Sequence, residues 1–320
     1  MRPLCLAVLL SIPVENLAPG AANGGVGELI SGVVYDGACR CLRPVMGAPG
    51  SAFLGEPLAG NLDGAWVAPD GDQALVLSGE SLFWLKGLKS RSLEWLPLPV
   101  PGAMAALVGW RADSTAAAIY TPGSLTLVHQ AAGVLAGFST EPLGGRISAL
   151  AVADDAVLAG VEGVGLYRLS AAGEMALLGR LIQPSAIVPA GPDRLLVADR
   201  ARGEILQIRR WRDSAEILPF ASFGAGDPAA LAVLPNGRSV LVLNSAGRRI
   251  TILDQASGAL IRELPLEFEA ARLEPLGDGA SWLLTERRRA SEAFEVLSVV
   301  GEPAVFFIPA PAEDSIARQE

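Results

Sequence analysis

One short turn recurs six times along this chain at almost constant intervals, and that repetition constrains the fold more than any other feature. The copies are Ala68-Pro69-Asp70-Gly71, Trp110-Arg111-Ala112-Asp113, Val152-Ala153-Asp154-Asp155, Ala190-Gly191-Pro192-Asp193, Leu234-Pro235-Asn236-Gly237 and Leu276-Gly277-Asp278-Gly279. Taking Asp70, Asp113, Asp154, Asp193, Asn236 and Asp278 as markers, the spacings are 43, 41, 39, 43 and 42 residues. A period near this length is that of a four-stranded propeller blade.

Each marker stands between two apolar runs, as in Ala229 to Leu234 before the fifth turn and Ser239 to Leu243 after it. Such a pair reads as a hairpin whose Asx or Gly residue supplies the conformation that reverses the chain. A third segment alternates apolar and polar residues: Leu82 to Leu85, Leu125 to Val128, Leu166 to Leu169, Ile205 to Ile208, Ile250 to Leu253 and Phe294 to Leu297. Alternation with period two marks a strand. A shorter fourth segment often carries proline, as in Leu93 to Pro99, Glu216 to Pro219 and Val305 to Pro309, and proline belongs on an edge strand. The 36 glycines and 23 prolines fit many short strands joined by tight turns. The expected fold is therefore an all-β β-propeller of six full four-stranded repeats.

An N-terminal hairpin adds to these: Val33 to Asp36, a Gly37-Ala38 turn, then Cys41 to Met46. It looks like Ile250 to Asp254 followed by Ala259 to Leu264, so it is read as the third and fourth strands of a blade. Seven blades with one incomplete are favoured, and a six-bladed ring with an appended hairpin is the alternative. The propeller should occupy residues 29–311, followed by a tail at 312–320.

Residues 1–22 read as an export signal. Arg2 precedes an apolar run from Leu4 to Val14, and small residues follow at Ala18, Gly20, Ala21 and Ala22. A run of about eleven residues is too short to span a bilayer. The expectation is a periplasmic or secreted monomer with no transmembrane segment. Cys39 and Cys41 are then the cysteines that remain; two apart on one strand, they would close a strained ring, so they are expected as free or buried thiols.

The stretch Pro228 to Asn244, continuing through Ile250-Thr-Ile-Leu-Asp254 to Gly258, is similar to the YVTN family of repeats. Leu195-Leu-Val-Ala-Asp199 with Glu204-Ile-Leu-Gln-Ile208 resembles an NHL repeat. The resemblance implies a propeller and leaves activity open, since such folds carry binding modules, surface proteins and enzymes.

The residues limit the chemistry. A formal net charge of -9 argues against attraction to nucleic-acid phosphate. His129 is the single histidine, so a multi-histidine metal site cannot be assembled, and at the end of a third strand it reads as a partly exposed residue and not as the positioned base a serine nucleophile needs. The first strands, which line a propeller's channel, are read at Ala65 to Ala68, Ala105 to Gly109, Ile147 to Ala151, Ser185 to Pro189 and Ala229 to Val233. They carry no Asp, Glu, His or Lys; the sixth brings Arg272 and Glu274. A calcium-dependent lactonase would need about six converging oxygens, and one glutamate, more simply paired with Arg272, does not supply them. No catalytic residue, cofactor or metal site is assigned. Trp110 and Trp211, beside arginines, are read as packing, with a cation-π contact or sugar platform as the sharper alternative.

One pattern points to a partner. The loops joining second to third strands should share a face. In the last three repeats they carry Arg200 and Arg202, Arg248 and Arg249, and Arg287, Arg288 and Arg289. The plainer reading is solvated charge neutralised by Asp199, Glu204, Glu286 and Glu292. The functional reading is a docking surface for a protein or anionic ligand, because guanidinium forks hold carboxylate and phosphate. The leading expectation is a noncatalytic binding or scaffold propeller; the alternative is a lactonase-like hydrolase or lyase with its site at the channel mouth.

Overall fold

The recurring turns work as local side-chain caps. Asp70 Oδ1 accepts from the backbone N of Asp72 at 2.9 Å, Asn236 Oδ1 from Arg238 at 2.8 Å, and Asp278 Oδ1 from Ala280 at 2.8 Å. These Asx turns offer the backbone a partner where the sheet ladder ends. Glycine follows at a positive φ of 70° at Gly71 and 62° at Gly237.

The structure is a computed structural model that describes residues 30–100, 107–224 and 226–311. The expected signal segment 1–22, the tail 312–320 and the start of the second repeat's first strand lie outside the described residues. Within them the chain forms seven antiparallel sheets arranged as a seven-bladed β-propeller, with one 3-10 turn at Glu141–Leu143.

The N-terminal sheet has three strands, β1 (Ile30–Asp36), β2 (Cys41–Met46) and β3 (Phe53–Leu54). Six sheets of four strands follow. The first holds β4 (Gly64–Val67), β5 (Gln73–Ser78), β6 (Ser81–Lys86) and β7 (Glu94–Leu98). The second holds β8 (Leu107–Trp110), β9 (Ala116–Thr121), β10 (Ser124–His129) and β11 (Gly133–Ser139). The third holds β12 (Ile147–Ala153), β13 (Ala156–Val161), β14 (Gly165–Ser170) and β15 (Met175–Gly179). The fourth holds β16 (Pro184–Pro189), β17 (Arg194–Asp199), β18 (Glu204–Arg209) and β19 (Glu216–Ser222). The fifth holds β20 (Pro228–Val233), β21 (Ser239–Asn244), β22 (Arg249–Asp254) and β23 (Leu260–Pro265), and the sixth β24 (Glu274–Pro275), β25 (Ser281–Leu283), β26 (Phe294–Ser298) and β27 (Ala304–Ile308).

Burial follows strand position. Second strands such as β13 and β21 are buried along their whole length, whereas fourth strands such as β11 and β23 are largely exposed. The apolar clusters lie between neighbouring sheets: Ala151, Leu158 and Leu166 of the third blade meet Ile187, Leu195 and Trp211 of the fourth. Burial of apolar faces against both neighbours is what a closed ring supplies and an isolated four-stranded sheet cannot.

The N-terminal hairpin is integral to that ring. Val34 packs with Leu276, Leu283 and Phe294 of the sixth blade, and Val33 and Leu42 pack with Ala65, Ala74 and Leu85 of the first. Its strands correct the sequence reading: β1 and β2 are the second and third strands of their blade. The closing pair Asp36↔Cys41 repeats Asp199↔Glu204 and Asn244↔Arg249, which close second-to-third hairpins. Asp36, Asp199 and Asn244 are all fully buried at the strand's end. Gly37 abuts the carbonyl of Arg287, in the β25–β26 loop. Among the described residues this blade has no first strand. The turns of the sixth and first blades meet directly instead, where Lys89 Nζ donates to Gly277 O at 3.0 Å.

The cysteines also depart from expectation: Cys39 and Cys41 are joined by a disulfide, with their Cα atoms 5.3 Å apart. Same-face strand geometry does not apply, because Cys39 belongs to the turn and only Cys41 to β2. Between them Arg40 takes a positive φ of 53°, which bends the chain and brings the two side chains together.

Candidate functional site

Three first strands, β12, β16 and β20, begin with the same local irregularity, and it shapes the channel mouth. In each, the second residue (Ser148, Ser185 or Ala229) is skipped in pairing with the neighbouring strand. Such an extra residue kinks a strand and re-aims its side chain. Ser148 Oγ donates to Pro184 O at 2.5 Å, and Ser185 Oγ donates to Pro228 O at 2.6 Å. The two hydroxyls therefore stitch three adjacent blades together around the channel.

Above them lies a cavity of about 300 Å³ lined by Leu107, Tyr120, Arg146, Ser148, Glu162, Gln183, Ser185 and Arg200, among others. It adjoins a space of about 280 Å³ bounded by small apolar residues such as Ala149, Ala186 and Ala230, with Arg272 and Glu274 also in its lining. Arg272 Nη1 donates to Glu274 Oε1 at 3.0 Å and a second nitrogen reaches Glu286, so the charged pair inside the channel is internally neutralised as expected.

At the mouth the charges are arranged differently. Arg200 forms a two-pronged contact with Asp227, its Nη2 lying 2.6 Å from Oδ2. The hydrogen bond with Asp227 holds the Arg200 guanidinium above its ordinary pKa, although partial burial opposes this. Arg146 makes no side-chain hydrogen bond or ion pair among the described residues, nor does Glu162. The mouth thus offers one guanidinium and one carboxylate for an incoming group, beside Tyr120, Gln183 and the two serine hydroxyls.

The seven arginines singled out by sequence meet different fates. Arg202 lies 3.8 Å from the buried Asp199, Arg249 3.5 Å from Glu263, Arg288 2.7 Å from Glu286 and Arg289 3.9 Å from Glu292. Arg248 is exposed at a positive φ of 43°. Arg287 leaves the exposed set, because it is only 3% exposed and pairs with buried Asp36. Of the seven, Arg200 lines the mouth. Sequence reasoning missed Arg146 and Gln183, which lie just before first strands, Tyr120 in β9, and Glu162 in the β13–β14 loop. The serines had a repeated signature: Ile147-Ser-Ala-Leu and Pro184-Ser-Ala-Ile repeat the same register.

Elsewhere the residues of possible chemistry are structural. His129 accepts at Nδ1 from the backbone N of Ala131 at 3.2 Å, a turn contact at a strand end. Trp110 meets Trp84 edge-on, with ring centroids 5.2 Å apart. Trp211 is buried, and Arg212 covers its ring at 4.5 Å while pairing with Asp154. Both tryptophans are packing residues, and Trp211 carries the cation-π contact as well. Asp36, Cys39 and Cys41 are the one group of metal-ligand types drawn together among the described residues. A closed disulfide is a poor donor compared with thiolates, and the group does not fit a metal in this state.

The fold and site define a class, the seven-bladed propellers with an open channel mouth. No family model matches the sequence, and no curated protein sequence matches it. Solved structures do. A streptogramin B lyase matches with a TM-score of 0.58 at 10% identity, over 79% of this chain and 85% of that one. The β-propeller domain of Myceliophteria thermophila Cps50 (Swd1) matches with a TM-score of 0.57 at 13% identity, over 80% and 88%. A putative 6-phosphogluconolactonase from Bacteroides uniformis matches with a TM-score of 0.56 at 13% identity, over 72% and 79%. Likeness at this identity is likeness of fold.

Proposed function

We propose that this chain is a noncatalytic recognition propeller, exported on the apolar run from Leu4 to Val14, that takes an acidic group of a partner into its channel mouth. The observation that carries the reading is Arg146: a guanidinium on a cavity of about 300 Å³ with no internal partner, where Arg200 is held by Asp227. A carboxylate entering there would gain a charge-assisted bidentate contact without displacing an existing one. Glu162, Gln183 and Tyr120 would then select donors and acceptors next to it. The exposed Arg202, Arg248, Arg288 and Arg289 on neighbouring loops, with half-buried Arg249 at the start of β22, draw an anionic partner towards the mouth. The relation of the repeats to the YVTN and NHL types belongs to the same reading, supported by Pro228 to Asn244 and Leu195 to Asp199.

Binding to an arrayed set of acidic peptides at low salt tests it. Arg146→Glu should weaken binding by about tenfold or more, since charge-assisted contacts exceed about 1.5 kcal/mol. Unchanged affinity in that variant would reject the assignment of the mouth. Turnover of lactone substrates that falls with Glu162→Gln would replace the reading with the hydrolase or lyase alternative.

A further inference from the structure

We propose that the Cys39–Cys41 disulfide is a thiol–disulfide exchange site, opened by a small thiol that attacks the exposed Cys39 sulfur and expels Cys41 as a thiolate. Three observations support it. First, the bond does little as a structural staple. It bridges residues two apart, and closing so short a loop removes far less chain entropy than closing a long one.

Second, the two sulfurs differ in access. Cys39 is exposed on the turn, and Cys41 is 2% exposed at the start of β2. An incoming thiolate therefore has one sulfur to attack, and the direction of the first step is set by access.

Third, the surroundings carry a surplus of buried positive charge. The Asp36 carboxylate lies within 4.8 Å of both sulfurs. It is shared by two guanidiniums, Arg43 at 3.4 Å and Arg287, and all three side chains are more than nine-tenths buried. Two cations face one anion. Arg287 Nε is buried without a hydrogen-bond partner, and Arg43 Nε has no hydrogen bond beyond its 3.4 Å ion-pair contact with Asp36. Unpaired buried donors of this kind are costly and call for an explanation. A thiolate at Cys41 would supply the second negative charge, and nearby guanidinium is the environment that stabilises thiolate.

The chemistry balances with an external thiol as reductant. In the first step RS⁻ bonds to the Cys39 sulfur, the Cys39–Cys41 bond breaks, and its electron pair leaves on Cys41. In the second step another RS⁻ attacks the external sulfur of the mixed disulfide, releasing RSSR and the Cys39 thiolate. Two thiols are oxidised and one protein disulfide is reduced. In reverse, the pair oxidises a dithiol.

The test uses the full-length chain and glutathione. At neutral pH the disulfide should open in the folded protein within minutes at millimolar glutathione. Mass mapping should place the adduct on Cys39, with an unchanged far-ultraviolet spectrum. In Cys41→Ser the Cys39 adduct should accumulate, having no resolving thiol. Arg43→Gln, which keeps hydrogen-bonding capacity and removes the charge, should move the pH profile of Cys41 alkylation in the reduced protein upward by about one unit. Resistance of the bond until the chain is denatured would overturn the proposal, as would an adduct on Cys41. So would free thiols at Cys39 and Cys41 in the air-equilibrated protein, mapped apart from Cys5, or a pH profile indifferent to Arg43.

Discussion

Asp36 and Arg287 stand 251 positions apart in the chain and form a buried ion pair that fastens the N-terminal sheet to the sixth four-stranded blade. Neither is solvent-accessible to any useful degree, and Arg287 Nη2 also donates to Ala290 O at 2.6 Å, shaping its own loop. Removing Arg287 takes one of two guanidiniums from buried Asp36 and leaves it facing Arg43 alone, at 3.4 Å. Arg287→Ala should therefore destabilise the protein by about 1–3 kcal/mol, less than a pair whose remaining charge has no other partner. The Asp36→Ala, Arg287→Ala double variant should lose less than the sum of the single changes. Denaturant unfolding of all four proteins checks this, and additive losses would mean that the pair is not coupled.

The ring predicts a second outcome. Deleting residues 31–46 would strip Val33, Val34 and Leu42 from two interblade clusters and expose Phe294, Leu283, Ala74 and Leu85 to water. Each fully buried aliphatic or aromatic side chain contributes about 1.5–3 kcal/mol, so the loss should reach the entire ring and lower the thermal midpoint steeply. A midpoint equal to that of the intact chain would make the hairpin an appendage.

How much of this was legible in sequence can be seen in Asp36 and Asp254. Both follow an apolar strand and open a turn, and both accept backbone hydrogen bonds two residues on. Read locally, they are equivalent, and the hairpin was accordingly assigned to third and fourth strands. What separates them is Arg287, a contact that no local pattern encodes. The propeller itself was legible because its period is written in turn residues that satisfy neighbouring backbone. The mouth was legible only in part: its serines repeat with the strands, whereas Arg146 lies between blades and Glu162 in a hairpin loop whose partner blades no local pattern names. The cysteine pairing was missed because the strand rule was applied to Cys39, a turn residue.

Asp113 provides a pH prediction. Partial burial would raise its carboxyl, but hydrogen bonds from Arg111 and Thr115 outweigh that and lower it to about 2. A depressed carboxylate contributes stability that is present above its ordinary value near 3.8 and is lost as pH falls through about 2. Arg111→Ala should move the Asp113 titration back towards the ordinary carboxylate range, seen by carbon-13 NMR of the side chain. The contribution to stability should be small, since the carboxylate is more than half exposed and solvent screens it. A titration unmoved by the substitution would assign the shift to the Thr115 contacts alone.

The exposed arginines make a prediction that separates binding from folding. Arg248, Arg288 and Arg289 sit on loops and Arg249 opens β22, half-buried; Arg249, Arg288 and Arg289 lie 3.5 Å from Glu263, 2.7 Å from Glu286 and 3.9 Å from Glu292, in ion pairs that reach solvent. Exposed pairs contribute about 0–1 kcal/mol each, so reversing all four to Glu should shift the melt only slightly. Binding of an acidic peptide should respond far more, because four reversals change the local charge by eight and turn attraction into repulsion within a Debye length of about 8 Å at physiological salt. Adding salt to the unmodified protein should weaken the same interaction progressively, the contact at the exposed Arg146 included. Affinity measured across a salt series for the unmodified chain, the quadruple reversal and Arg146→Glu distinguishes the two contributions. If the quadruple reversal binds as tightly as the unmodified chain at low salt, the loops do not guide the partner and recognition is confined to the mouth.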